Sequence, residues 1–99
     1  MAVKALEIHP YALAEVKAAV AWYMERNYTA AIKFADEIDK AIEMMVESPA
    51  RWPAGGHGTR KLVLRRFPYA IVYREKEDAV QILAVAHGHR RPEYWKDRL

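Results

Sequence analysis

Apolar residues recur at helical spacing from residue 10 to residue 47 and at strand spacing from residue 60, and the two regimes meet in one loop. That loop, Pro-Ala-Arg-Trp-Pro-Ala-Gly-Gly-His-Gly at 49–58, holds three of the four glycines and two of the five prolines. Glycine and proline at this density make a turn-rich connection that neither a helix nor a strand crosses. Neither flank can bury its apolar face alone. The loop therefore joins two halves of one domain, residues 1–99, instead of separating two domains.

Before the loop, Val3-Lys4-Ala5-Leu6-Glu7-Ile8 has the mixed alternation of a short strand, stopped by His9-Pro10. Pro10 suits the first turn of a helix, where its missing N–H costs nothing. Leu13, Val16, Val20 and Tyr23 or Met24 mark a helical stripe through residues 10–26. Ala12, Ala14, Ala18, Ala19 and Ala21 add propensity and leave room for close approach by a partner helix. Asn27 or Thr29 can cap a second helix over 29–47, with a stripe of Ala31, Phe34 or Ala35, Ile38, Ala41 or Ile42, and Met45. Ser48-Pro49 ends it, because the residue before a proline is pushed out of the α region. A link of two to four residues makes the pair an antiparallel hairpin.

After the loop, strands are expected at Arg60–Arg65, Tyr69–Glu75 and Ala79–Ala86, joined through Phe67-Pro68 and the charged turn Glu75–Asp78. The polar tail from Arg90 or Arg91 closes as one or two helical turns with Pro92 at their start. The order β-αα-β-β-β predicts an α+β, two-layer domain: an N-terminal strand and an antiparallel helical hairpin packed on one face of a mainly antiparallel sheet. The other sheet face is then open, and the pattern does not say beside which neighbour the first strand lies. Leu13, Val16, Val20, Ile38, Ile42, Leu62, Leu64, Ile71 and Val85 are expected to supply much of the core.

Composition narrows the function classes. The chain is 53% hydrophobic and 29% charged, which argues for a folded domain. Cysteine is absent, excluding disulfide scaffolds, thiolate metal sites and cysteine nucleophiles. The apolar run Ala18–Trp22 is far too short for a membrane span, and no charged leader precedes an apolar stretch. The expectation is a cytoplasmic protein without a membrane partner. Charge is unevenly divided: residues 1–49 carry five Lys/Arg against eight Asp/Glu, whereas residues 50–99 carry eleven against five. The basic half is a landing area for nucleic acid or an acidic protein, or else a set of solvated strand flanks.

The four histidines do not have the spacing of a metal site. His87-Gly88-His89 puts two imidazoles together at the end of the last strand, where hydrogen bonding explains them without a metal. Neither a metal nor a cofactor is expected: there is no HExxH, no phosphate-binding glycine loop and no dinucleotide fingerprint. The basic residues are the better signal. Arg60, Lys61, Arg65 and Arg66 surround one strand, Arg74 lies on the next, and His87, His89, Arg90 and Arg91 end the last. A metal-free nuclease built here would draw its proton-transfer groups from His87, His89 and Tyr94, with cations facing the phosphate. The plainer reading of Tyr94-Trp95 is an aromatic latch packed over a helix end.

Several segments together resemble the RelE/ParE superfamily of bacterial toxins, also called plasmid stabilisation proteins. They are Ala19-Val-Ala-Trp-Tyr23, Glu47-Ser-Pro-Ala-Arg-Trp-Pro53, Arg65-Arg-Phe-Pro-Tyr-Ala-Ile-Val-Tyr-Arg74, and Leu83 through Trp95 with its His-Gly-His-Arg-Arg-Pro-Glu-Tyr-Trp end. The resemblance runs in order from about residue 4 to residue 96. It implies a type II toxin encoded beside a small antitoxin whose C-terminal segment wraps and silences it. On that reading, acidic antitoxin residues meet Arg65, Arg74 or Arg90 over an apolar sheet face holding Val63, Ala70 and Val72.

The family has two branches. RelE-like members are ribosome-dependent mRNA endonucleases; at their functional positions this chain has Lys61, Tyr94 and a basic Arg90. Three further cationic positions fall on Val63, Ala70 and Gly88. Each lost cation removes a few kcal/mol of stabilisation from developing phosphate charge. His87 or His89 could substitute, with Lys61, Arg74 and Tyr94 assisting, so enzymatic activity stays open. The His-Gly-x-Arg segment is more similar to ParE, whose members poison DNA gyrase. The resemblance favours that branch, with Arg65, Arg66, Arg74, Arg90, Arg91 and Trp95 as target- or antitoxin-binding residues. The ribosome and its mRNA are the alternative target, and an inactive relative that binds an antitoxin or nucleic acid is a third reading.

Overall fold

The computed structural model describes residues 4–99. Strand β1 (Ala5–Ile8) leads into helix α1 (Pro10–Arg26) and helix α2 (Tyr28–Glu47), followed by β2 (Arg60–Val63), β3 (Tyr69–Glu75) and β4 (Ala79–His87). Short 3₁₀ turns occupy Gly56–Gly58 and Lys96–Arg98. The sheet order is β1-β4-β3-β2. β1 runs parallel to β4, while the β2–β3 and β3–β4 pairs are antiparallel. The first strand thus finds its place beside the last. Val3, expected in that strand, lies outside the described residues. Two ion pairs pin β1 to the β3–β4 turn, Lys4 to Glu75 at 2.7 Å and Lys76 to Glu7 at 3.1 Å.

Local chemistry explains the helix ends. His9 precedes Pro10 and accepts a hydrogen bond from the Tyr11 N–H at Nδ1 (3.1 Å), capping α1. Asn27 alone joins the helices, a shorter link than the two to four residues expected. Its N–H donates to the Tyr23 carbonyl, ending α1, and its side-chain oxygen accepts from the Ala30 N–H at 3.1 Å, starting α2. One extended residue serves both caps, so no spacer is required. No described helix is long and apolar enough to cross a membrane.

The main core lies between the hairpin and one sheet face, where Phe34, Ile38, Met45, Leu62, Leu64, Ile71 and Val85 are buried. Val16, Val20 and Ile42 pack against it half-buried. Leu13 does not join it. That side chain is 42% exposed, and Ala12 is buried in its place, because α1 approaches β4 closely through Ala12 and Ala19. The expected core frame was therefore one residue out at this end of α1.

The second sheet face is not left open. A bulge in β4 pairs Val72 with Ala84 and Tyr73 with Ile82, so Leu83 is the extra residue. Leu83 and Ala84 consequently join Val72 on the far face, where Trp95 from the returning tail covers them at 7% exposure. The aromatic latch exists, but it closes over the sheet and not over a helix end. Of the three residues expected to remain as apolar surface, Val63 is 63% exposed while Ala70 and Val72 are buried. Truncating Trp95→Ala should destabilise the domain by about 3 kcal/mol in urea unfolding, with β4 amides exchanging faster. An unchanged midpoint would show that the latch contributes nothing to the core.

Candidate functional site

The tail turn and loop 54–59 flank a groove of about 480 Å³ on the Trp95 side of the sheet. Lys61, Val63, Ala70 and Ala86 lie along it, and Gly55, Gly56, Arg90, Arg91 and Glu93 border it. His57 and Glu93 link its two sides, with His57 Nε2 at 3.4 Å from Glu93 Oε1. Both residues adopt left-handed backbone conformations, φ 62° and 57°, a costly choice for non-glycine residues. A Cβ at Gly56 would sit 2.8 Å from the Glu93 Oε2, so a larger residue there would displace that side chain from His57.

The basic residues singled out from the sequence divide among several places. Arg60, Lys61, Arg90 and Arg91 border the groove just described, and Arg60 Nη1 donates to the Trp52 carbonyl at 2.6 Å. Arg90 stacks on Tyr94, its guanidinium 3.9 Å from the ring centre. Arg74 sits farther along β3, where Nε donates to Gln81 Oε1 at 2.8 Å. Arg65 and Arg66 line a separate cleft against α2, with Lys33, Glu37, Arg51 and Trp52, and the Arg65 N–H donates to the Glu37 carboxylate. Trp95, expected at the contact surface, is buried as the latch. No single cationic patch results.

His87 and His89 do come together, their rings stacked with centres 5.0 Å apart. The His89 N–H donates to His87 Nδ1 at 3.1 Å, so in the neutral ring the His87 proton sits on Nε2. His87 also meets the Tyr69 ring edge-on at 5.1 Å. No cluster of three potential metal ligands exists among the described residues.

The best-connected polar group in this region is one that sequence reasoning missed. Glu15 Oε1 accepts from the Val85 N–H (3.0 Å) and from Arg98 Nη1 (2.9 Å). Its Oε2 accepts from the Tyr94 hydroxyl (2.7 Å) and from Arg98 Nη2 (3.0 Å). Arg98 Nη1 also donates to the Leu83 carbonyl at 2.9 Å. Burial acts to raise the Glu15 pKa, but the hydrogen bonds from Arg98, Tyr94 and Val85 and the Arg98 charge outweigh it, and the carboxyl ends below its ordinary value. Burial and the adjacent Glu15 carboxylate push the Tyr94 phenol well above its ordinary value. A phenol held this way is a poor proton donor to any substrate. Arg98 titrates higher still than usual, first through its hydrogen bonds to Glu15. Position 15 lies three residues after Ala12 and four before Ala19, on the buried face of α1, which the apolar stripe of Leu13, Val16 and Val20 did not mark.

Residues 6–92 match the family model for the ParE toxin of type II toxin-antitoxin system, parDE. The chain belongs to the ParE toxin family. A relative from Sinorhizobium fredii, Y4kP, a candidate toxin by name, is 38% identical over 71 residues, covering 70% of this chain and 73% of its own. A chain from the solved chromosomal ParDE TA system from P. aeruginosa superposes with a TM-score of 0.75 at 22% identity. It covers 86% of this chain and 96% of that one, a likeness of fold. The resemblance read from the Arg-Phe-Pro-Tyr and His-Gly-His-Arg segments is thereby established at the level of the family.

The depressed Glu15 pKa has a consequence for stability. A carboxyl whose folded pKa lies below its unfolded value contributes stability that is complete above the unfolded value and disappears as pH falls through the folded one. The native chain should therefore exceed a Glu15→Gln variant by about 2 kcal/mol above roughly pH 5, with the gap closing in more acidic buffer. Denaturant titrations across that range measure it, and a gap independent of pH would contradict the assignment.

Proposed function

We propose that this ParE-family chain is the growth-arresting toxin of a two-protein system, acting in the cytoplasm on DNA gyrase and silenced by a cognate antitoxin. The observation that carries the choice of target is the state of Tyr94. Its hydroxyl donates to Glu15 and its phenol is pushed up, so the tyrosine a ribonuclease would use is committed to holding the tail. The groove supports the same reading. Val63 and Ala70 lie along it and Gly88 borders it, at the positions where RelE-like relatives place phosphate-facing cations. No neutral side chain can replace a cation beside a charged transition state. The groove's remaining cations, Arg60, Lys61, Arg90 and Arg91, suit recognition of an acidic protein surface or a DNA backbone without cutting it.

The test is to add the purified chain to translating ribosomes and, in parallel, to gyrase with DNA. Gyrase should be inhibited, mRNA should remain uncut, and Tyr94→Phe should inhibit gyrase like the native chain provided its fold is retained. Cleavage of ribosome-bound mRNA, lost in His87→Ala or His89→Ala with folding intact, would establish the ribonuclease reading instead.

A further inference from the structure

The two helices of the hairpin are capped alike but by different chemistry. At the start of α2, Asn27 Oδ1 accepts from the Ala30 N–H at 3.1 Å. At the start of α1, His9 Nδ1 accepts from the Tyr11 N–H, also at 3.1 Å. A side-chain amide oxygen does not titrate in the range where proteins fold. An imidazole nitrogen accepts only while the ring is neutral, here with its proton on Nε2. Protonation turns Nδ1 into a donor facing another donor.

The sequence leaves α1 no substitute cap. Pro10 at its first position has no N–H, so the bond to Tyr11 satisfies the first free donor of the helix. No acidic residue occupies the first turn to offset a charged ring beside the positive helix end. The charges on neighbouring elements are already engaged. Glu7 of β1 pairs with Lys76 of the β3–β4 turn, and Arg98 of the tail pairs with Glu15 of α1. β4 offers the Ile82 carbonyl, which takes the His9 main-chain N–H at 2.9 Å. His9 itself forms no ion pair among the described residues. Its ring lies 5.4 Å from the Tyr11 ring, and the Arg98 guanidinium lies 5.4 Å from that same ring. A charged imidazole would share Tyr11 with a second cation.

We propose that His9 is a proton-operated cap: neutral, it holds the first turn of α1 to the end of β1, and protonated, it lets that turn go. The release reaches the tail. Tyr11 stands in the released turn, and Arg98 rests against it while anchoring the tail to Glu15 and to the Leu83 carbonyl. The cap contributes fully above the ordinary imidazole pKa of about 6.5 and is lost as the ring gains its proton in more acidic buffer. Glu15, held below its ordinary value, stays charged through that step, so the cap fails before the carboxylate does. Neither His9 nor Tyr11 borders the groove, and the device is independent of the gyrase reading.

The experiment follows the full ¹⁵N-labelled chain by NMR from about pH 7.5 to about pH 5, beside His9→Asn, whose cap cannot titrate. The Tyr11 amide should titrate with the His9 ring at one midpoint, while the Ala30 amide, capped by Asn27, should not move with it. Hydrogen exchange is compared between the two chains at each pH, which cancels the pH dependence of exchange itself. His57, facing Glu93, and His87, bonded to the His89 N–H, are present in both chains and cancel as well. At the acid end the native Tyr11 amide should lose protection about fivefold relative to His9→Asn, the size of one lost cap, and the Arg98 amide should follow. His9→Ala should show that loss at every pH. Two results would overturn the proposal: a Tyr11 amide that ignores the His9 titration, or Arg98 amides that exchange alike in the native and His9→Asn chains throughout.

Discussion

A strand needs a hydrogen-bonding neighbour on each side or something that takes a neighbour's place, and most of this structure follows from how β4 meets that requirement. β1 is four residues long because Pro10 must begin a helix; β4 is nine. Where β1 ends, Glu15 from α1 and Arg98 from the tail supply the acceptor and the donor that a longer first strand would have supplied. A half-buried carboxylate costs free energy unless its lone pairs are filled, and four donors fill those of Glu15. The same contacts draw the C-terminal segment back across the molecule. Trp95, three residues before Arg98, then lands on Val72, Leu83 and Ala84.

The Tyr94 phenol faces Glu15, while Arg90 stacks on its ring. That hydrogen bond ties the tail to α1. The imidazoles of His87 and His89 stack on one another, and His87 meets the Tyr69 ring edge-on. The surface around them carries dispersed cations and the exposed Val63.

Much of the fold was legible because its signals are local. The 3.6-residue repeat of Ala31, Phe34, Ile38, Ala41 and Met45 marks the buried face of α2, and Pro10 and Pro49 bracket the hairpin. The unread parts depend on non-local events. The parallel pairing of β1 with β4 joins residues more than seventy positions apart. The Leu83 bulge leaves no mark in an apolar run where every residue suits a strand. Leu13 misled because α1 buries alanines in a close approach, a choice the packing makes and hydrophobicity does not. At the site, the basic residues expected as one neighbouring set divide between a groove bordered by Arg60, Lys61, Arg90 and Arg91 and a separate cleft holding Arg65 and Arg66. Residues near in sequence on paired strands still point to opposite faces.

The claim on which the rest hangs is that Glu15 and Arg98 act as one unit, replacing a missing strand. A double-mutant cycle with Glu15→Gln and Arg98→Met, read by urea unfolding, tests it most directly. The account predicts a coupling of about 2 kcal/mol, with the Val85 amide losing exchange protection in both single variants. Additive effects, with Val85 as protected as in the native chain, would contradict it.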